Sequence, residues 1–247
     1  MFAIKPTRRP CWKYPSFCSG STNASGQSNL IKPIRPPGSW KAKPLEIAKE
    51  LKTISQAGKH FAKDDYERKR HEDIEKIVAR IFEHYTENMD AIRVLGILQE
   101  DAGYPTPKVD SRGVVFRDDK ILMVKEITDG GWTLPGGWCD TGSTPSENVA
   151  REVWEESGYK VKATKLLAVY DRDNQGHTPS YPFSIYKLFF LCELLGGEAT
   201  VSNETSEVAW FAENDLPKNL SNGRTLPHEL HQFFNHHRNP DLLTTFD

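Results

Sequence analysis

The stretch GGWCDTGSTPSENVAREVWEESGY, residues 136–159, decides how this chain is read. Its second half predicts a helix over about Thr144–Ser157, on which Glu152, Glu155 and Glu156 stand at i, i+3 and i+4. Those positions share a helix face, and Arg151 is the one cation beside them. A solvated face usually mixes its signs. Three carboxylates on one face instead suit a hard divalent cation satisfied by oxygen ligands, so the spacing points to a magnesium site, with an ordinary acidic amphipathic helix as the alternative. Gly136 and Gly137 ahead of the helix let the backbone approach a ligand closely.

Working outward, the pattern before this stretch is one of strands. Residues 109–116, a turn at Asp118-Asp119 and residues 120–125 predict a hairpin, and Trp132-Thr133-Leu134 leads into the glycine corner. Val149, Ala150, Val153 and Trp154 are expected on the buried side of the helix. Strands follow at about Lys165–Arg172, Phe183–Glu193 and Val208–Phe211, before a last helix at Pro227–His237. A mixed sheet between helices, an α/β/α sandwich, fits this order. The long polar loop Asp171–Ser180, with His177, is a place where a ligand's far end would be read.

Residues 45–100 read as helices. Leu45, Ala48, Leu51, Ile54, Ala57 and Phe61 form one apolar stripe, and Ile74, Ile77, Val78, Ile81, Phe82 and Tyr85 form a second. A short third helix covers about Asp90–Leu98. Neither stripe can hide itself, so this region is expected to dock on the rest of the chain or on a second subunit. Residues 1–44 stand apart: no Asp or Glu precedes Glu46, and Lys, Arg, Ser, Asn and Pro abound. Such a stretch is expected to be disordered, either as a basic extension or as an organellar transit peptide. Its prolines favour the extension.

Over 247 residues the net charge is -2 and apolar content is 37%. The first argues against wholesale nucleic-acid binding, and the second suffices for a core. Four cysteines without paired spacing beyond Cys11/Cys18 suggest a reduced, intracellular protein. No run is long enough to span a bilayer, so the expected place is the cytoplasm, or an organelle if residues 1–44 target it. His228, His231, His236 and His237 lack partners in a ligand arrangement and read as an ordinary helix face.

The segment 136–159 resembles the Nudix box, in which a Gly, five residues, a Glu and seven residues precede Arg-Glu-apolar-x-Glu-Glu-x-Gly-apolar. Gly137, Arg151, Glu152, Val153, Glu155, Glu156, Gly158 and Tyr159 fill its places, while Ser143 stands where the internal Glu belongs. Asp140 or Glu147 is expected to replace that Glu in part. The resemblance implies the Nudix α/β/α sandwich over 105–247, preceded by a small all-helical domain over 45–104. It further implies a metal site of Glu152, Glu155, Glu156 and the Gly136 carbonyl, filled by Mg2+ with Mn2+ as a substitute. Gly137 then shapes the loop, and Arg151 orients Glu152 or pairs with Glu147. The general base lies within the box, at Glu152 or Glu156, or at the loop acid Glu204, with Glu207 as runner-up. Arg112 is expected to take a phosphate bidentately, with Lys125 close by, and Trp132 to stack on a base or to sit in the core.

The segments 103–110, 134–138, 166–172 and 236–242, with the helices ahead of them, resemble one branch of that family. Its members hydrolyse nucleoside diphosphates linked to another moiety. The implied reaction is cleavage of the pyrophosphate bond, first choice ADP-ribose to AMP and ribose 5-phosphate. CDP-choline is the close alternative, and an RNA exonuclease or cap-type hydrolase with the same metals is a further one. A ligand sensor that binds without cleaving fits least, because the box carboxylates are kept. Homodimerisation through the helical domain is implied as well, and it would cover the apolar stripes.

Overall fold

The computed structural model of the chain describes residues 44–86, 90–100 and 103–247. The expectations for residues 1–43 lie outside the described residues. Three helices come first: α1 (Pro44–Phe61), α2 (Asp65–Tyr85) and α3 (Ala91–Glu100). Asp64 caps α2 by accepting from the Glu67 N–H at 2.8 Å, which satisfies one of the donors a helix start leaves open. Ala48, Val78, Ala79, Phe82, Val94 and Leu98 pack together as the core of this part. Four of the twelve residues in the two expected stripes face elsewhere. Ile54, Phe61, Ile77 and Tyr85 are all exposed.

The rest is a sheet with helices on both faces. Its strands are β1 (Lys108–Arg117), β2 (Lys120–Glu126), β3 (Trp132–Thr133), β4 (Gly136–Trp138), β5 (Tyr159–Asp171), β6 (Ile185–Gly197), β7 (Thr205–Ala212) and β8 (Thr245–Phe246). The main path runs β3-β2-β1-β6-β5-β8, with β4 on β1 and β7 on β2. β1 and β6 are parallel, while β1 meets β2 and β4 antiparallel. The expected hairpin is present, and its turn residues Asp118 and Asp119 both take positive φ (51° and 57°). Paired left-handed residues give a turn whose twist matches that of the strands.

Successive strand side chains point to opposite faces, and this divides the core in two. Val114, Ile121, Met123 and Phe189 pack with Leu230, Phe233 and Phe234 of α5 (Pro227–Arg238). Val115, Leu122 and Cys192 pack with Val149 and Val153 of α4 (Pro145–Ser157). The α/β/α sandwich follows from that alternation. One residue of α4 departs from expectation: Trp154 is 51% exposed, although Val149 and Val153 are fully buried. The next residue along a helix is turned by about 100°, which carries Trp154 off the face that Val153 occupies. No helix among the described residues is long and apolar enough to cross a membrane.

The close seating of α4 on β1 depends on Gly113, where an added Cβ would come within 2.3 Å of the Val153 Cγ2. Gly113→Val is therefore expected to lower stability by about 1–3 kcal/mol through overpacking, read from urea unfolding. An unchanged midpoint would contradict this contact.

Candidate active site

The box helix α4 begins on a capping box. Thr144 and Glu147 bond reciprocally, with the Thr144 N–H donating to the Glu147 carboxylate at 3.0 Å. This commits Glu147 to the cap, so it neither pairs with Arg151 nor fills the gap at Ser143. The helix ends at Gly158 in the left-handed region (φ 78°), the usual way to close a last turn. Ahead of it, Gly136 has φ 141° on β4, and a Cβ there would fall 2.1 Å from the Ser111 carbonyl oxygen. Only glycine fits so close to β1. The loop between is stitched to the helix by the fully buried Asn148. Its amide donates to the Ser111 Oγ (3.0 Å) and the Trp138 carbonyl (3.1 Å), and its Oδ1 accepts from the Asp140 N–H (3.1 Å).

These elements wall a cavity of about 400 Å³, a common size for a small-molecule site. Glu152, Glu156, Gly136, Gly137, Asp140, Arg112 and Glu204 all line it. Glu156 is 6% exposed and accepts from the Gly136 N–H at 2.9 Å. Burial pushes its carboxyl up to about 8 against the pull of Arg112, and the charges of Glu126 and Glu152 push the same way. Glu152 is also raised by burial, with Arg151 at 2.8 Å opposing. Glu204 sits in the turn before β7. Beside it, the Thr205 Oγ1 donates to the Glu156 carbonyl at 2.8 Å, and the Glu204 carbonyl accepts from the Ile127 N–H at 2.9 Å. The loop acid is thereby tied to both the box helix and the end of β2.

Other expected residues are placed differently. Glu155 is not in the lining; its carboxylate pairs with Arg151 at 2.8 Å and stays half-exposed. Relative to Glu152, the helix turns Glu156 about 40° one way and Glu155 about 60° the other, which separates the two. Among the described residues no three His, Cys, Asp or Glu converge on one point. Arg112 lines the cavity but is committed: its Nε and Nη2 grip Asp110 (3.1 and 2.9 Å), and Nη1 donates to the Leu134 carbonyl. The bidentate partner is thus an internal carboxylate. Lys187 joins the same Asp110 at 2.7 Å. Burial alone would raise Asp110, but the two cations hold it well below the usual carboxylate range. Trp132 belongs to the core, edge-on to Phe211 at 4.8 Å, and a ring so enclosed is no platform for a base. Lys125 pairs with Glu207 at the surface (2.6 Å) and does not line the cavity. The terminal histidines find separate partners: His228 with Gln175, His231 with Glu213, and His237 with Asp119.

The comparisons agree with this architecture. Residues 107–229 match the NUDIX domain, and residues 42–92 match the UDP-X-like, N-terminal oligomerisation domain. A protein of Bacillus subtilis (strain 168) named "Putative ADP-ribose pyrophosphatase YjhB" is 42% identical over 203 residues, covering 82% of this chain and 96% of its own. The chain belongs to the Nudix hydrolase family. The crystal structure of an ADP-ribose pyrophosphatase from Streptococcus suis 89-1591 is 39% identical, spans 57% of this Nudix chain and 100% of its own, and superposes with a TM-score of 0.52. That of UDP-X diphosphatase is 28% identical, spans 82% and 97%, and superposes at 0.53.

The Nudix site also contains residues that the sequence did not mark. Glu126, at the end of β2, is 5% exposed and raised by burial against the pull of Arg224, whose Nε lies 3.1 Å away. Trp138 lines the cavity and is 48% exposed. Arg172 falls in the loop 171–180 expected to read a ligand's far end, whereas Asn148, Lys187, Tyr181, Asp129 and Arg224 are unmarked too. Nothing in their local sequence separates them from surface residues, because strands that are distant along the chain bring them together. Arg151 gathers four acceptors, Asp140, Asn148, Glu152 and Glu155. Asp140 therefore stands at the cavity as a partner of Arg151.

The donor set fits a hard divalent cation. All candidate ligands are oxygens, and Gly137 leaves room where a Cβ would meet the Glu152 Oε2 at 2.8 Å. Magnesium is commonly held by only one or two carboxylates, with water and phosphate completing its shell.

Because Glu156 ionises near 4.5 in the unfolded chain and about 8 in the folded one, the unfolded state releases its proton first. Stability in a chelator should then fall as pH rises from about 5 to 8. Glu126 and Glu152 act in the same sense, whereas the opposite contribution of Asp110 is lost only below its unfolded value of 3.8. Glu156→Gln is expected to flatten this slope, gaining about 1–3 kcal/mol at pH 8, and to lose the thermal shift that magnesium is expected to give the wild type. Parallel pH profiles for the two proteins would refute the assignment.

Proposed function

We propose that this Nudix hydrolase cleaves the pyrophosphate bond of a nucleoside diphosphate linked to another moiety, in a magnesium-dependent reaction with ADP-ribose as first substrate. One observation carries the reading: Glu152, Glu156 and Glu204 share a cavity with Arg112, Lys187, Arg172 and Arg224. Such a site holds cation-binding oxygens and anion-facing nitrogens side by side, as a metal–diphosphate complex requires. The names of the relatives, ADP-ribose pyrophosphatase and UDP-X diphosphatase, support the same substrate class.

Glu152 and Glu156 would hold the ion, joined by the Gly136 carbonyl. When bound there, a divalent cation supplies positive charge that draws electron density from the diphosphate oxygens. The chain's own residues do the rest. Glu204, free of any ion pair among the described residues, takes a proton from the attacking water. The water oxygen bonds to one phosphorus, the bridging P–O bond breaks, and the leaving phosphate keeps that electron pair. With ADP-ribose the products are AMP and ribose 5-phosphate. Trp138, exposed at the cavity, takes the base-stacking role first expected of Trp132.

A screen of ADP-ribose, UDP-sugars, CDP-choline and short RNA, with and without magnesium, tests the reading. Hydrolysis to two monophosphates is the expected result, and inactivity on every diphosphate would overturn it. Glu204→Gln should lower kcat by about 10²-fold or more with little change in KM. A negligible effect returns the base to the box.

The exposed Ile54, Phe61, Ile77 and Tyr85 and the match to an oligomerisation domain support a homodimer joined through α1–α3. Light scattering should give twice the chain mass, and Ile54→Glu with Ile77→Glu should halve it. A monomeric wild type refutes this arrangement.

A further inference from the structure

Four cationic side chains line the cavity, and three are spoken for. Arg112 and Lys187 share Asp110, and Arg224 pairs with Glu126 (3.1 Å) and Asp129 (3.2 Å). The fourth, Arg172, just past the end of β5, is only 2% exposed. Its Nη1 and Nη2 are both buried without a hydrogen-bond partner among the described residues. A buried guanidinium whose Nη atoms have no hydrogen-bonded acceptor is costly, and here burial lowers its pKa. The nearest carboxylate, Asp173, lies 3.7 Å from Nη1 and is already engaged by Lys49 of α1.

The surroundings hold this side chain in place. The Arg172 N–H donates to the Ile185 carbonyl (2.9 Å), and its Nε donates to the Gly223 carbonyl (3.2 Å). Tyr181 lies against the guanidinium, 4.7 Å from ring centroid to Cζ. The loop between them is pinned by His177, fully enclosed, whose ring nitrogens meet Glu229 (2.9 Å) and the Asn222 carbonyl (3.0 Å). Tyr181, Thr178 and Gly223 all line the cavity with Arg172. A fork of two donors, fixed in orientation and lacking an acceptor, matches the geometry of a carboxylate or phosphate.

We propose that Arg172, stacked on Tyr181, binds an oxyanion of the substrate in this cavity, either on the diphosphate or on the group attached to it. This deepens the reading above and rests on it for the name of the substrate. The cost of leaving the two Nη groups without an acceptor is recovered when the oxyanion arrives.

The first test titrates the full chain with inorganic pyrophosphate in EDTA, following affinity by calorimetry. Arg172→Met is expected to weaken binding by about tenfold or more, and Arg172→Lys, which keeps charge but loses the fork, by less. The ligand-free Tm of Arg172→Met should equal or exceed that of the wild type, because a buried charge without hydrogen-bonded acceptors at its Nη atoms is gone. A purely structural arginine would instead lower Tm and leave affinity unchanged, which overturns the proposal. Tyr181→Leu supplies a second, charge-neutral variant, expected to weaken pyrophosphate binding in the same direction. A wild type that binds neither pyrophosphate nor UDP-glucuronate also overturns it. A second arm compares KM for UDP-glucose and UDP-glucuronate. An equal penalty on both assigns the oxyanion to the diphosphate, and a penalty on the acid alone assigns it to the attached group. If the wild type hydrolyses no diphosphate but Arg172→Met still loses pyrophosphate, the catalytic reading falls while this one stands.

Discussion

Keeping a carboxylate in the protein interior is costly unless something compensates it, and the site is organised around that cost at Glu156. Its compensation in this structure is one backbone N–H from Gly136 and the more distant charge of Arg112, and burial still leaves the carboxyl raised. A cation is what such a group lacks. The glycine corner, the close pairing of β4 with β1 and the tie from Thr205 all serve to hold this carboxylate at the cavity wall.

The opposite problem occurs on the cationic side and is solved unevenly. Asp110 absorbs Arg112 and Lys187 into one buried network, which braces β1 against β6 beneath the cavity. Arg172 receives only a long contact, 3.7 Å from its Nη1 to Asp173, with no hydrogen bond at either Nη. Ionisable groups left unsatisfied in a folded chain concentrate where function draws on them, and both kinds occur here in one cavity: a carboxylate short of a cation and a guanidinium short of an anion. Each shortage is what a metal–diphosphate substrate would relieve.

The helical region contributes at a distance. Lys49 of α1 holds Asp173, so α1 reaches the loop that carries Arg172. The apolar side chains that α1–α3 leave exposed are those a partner surface would cover.

Much was legible from the sequence because it depends on local spacing. The hairpin around Asp118-Asp119, the box helix with its glycine stop, the loop acid Glu204 before β7 and the α/β/α order all follow from period, turn chemistry and a long gapped motif. What only the tertiary structure decided was the pairing of charges. Arg112 and Glu155 carry the right chemistry at the right spacing, yet each is claimed by a neighbour, Asp110 and Arg151, that sequence cannot rank above a ligand. Trp132 and Trp138 look alike along the chain, and the direction of a strand side chain put one in the core and the other at the cavity. Lys187 and Glu126 resemble ordinary surface residues until strands far apart in sequence enclose them, and within the polar loop 171–180 nothing along the chain singles out Arg172. Local spacing determines which groups are present and which elements carry them; burial and partner choice arise only when distant segments compete for the same charges.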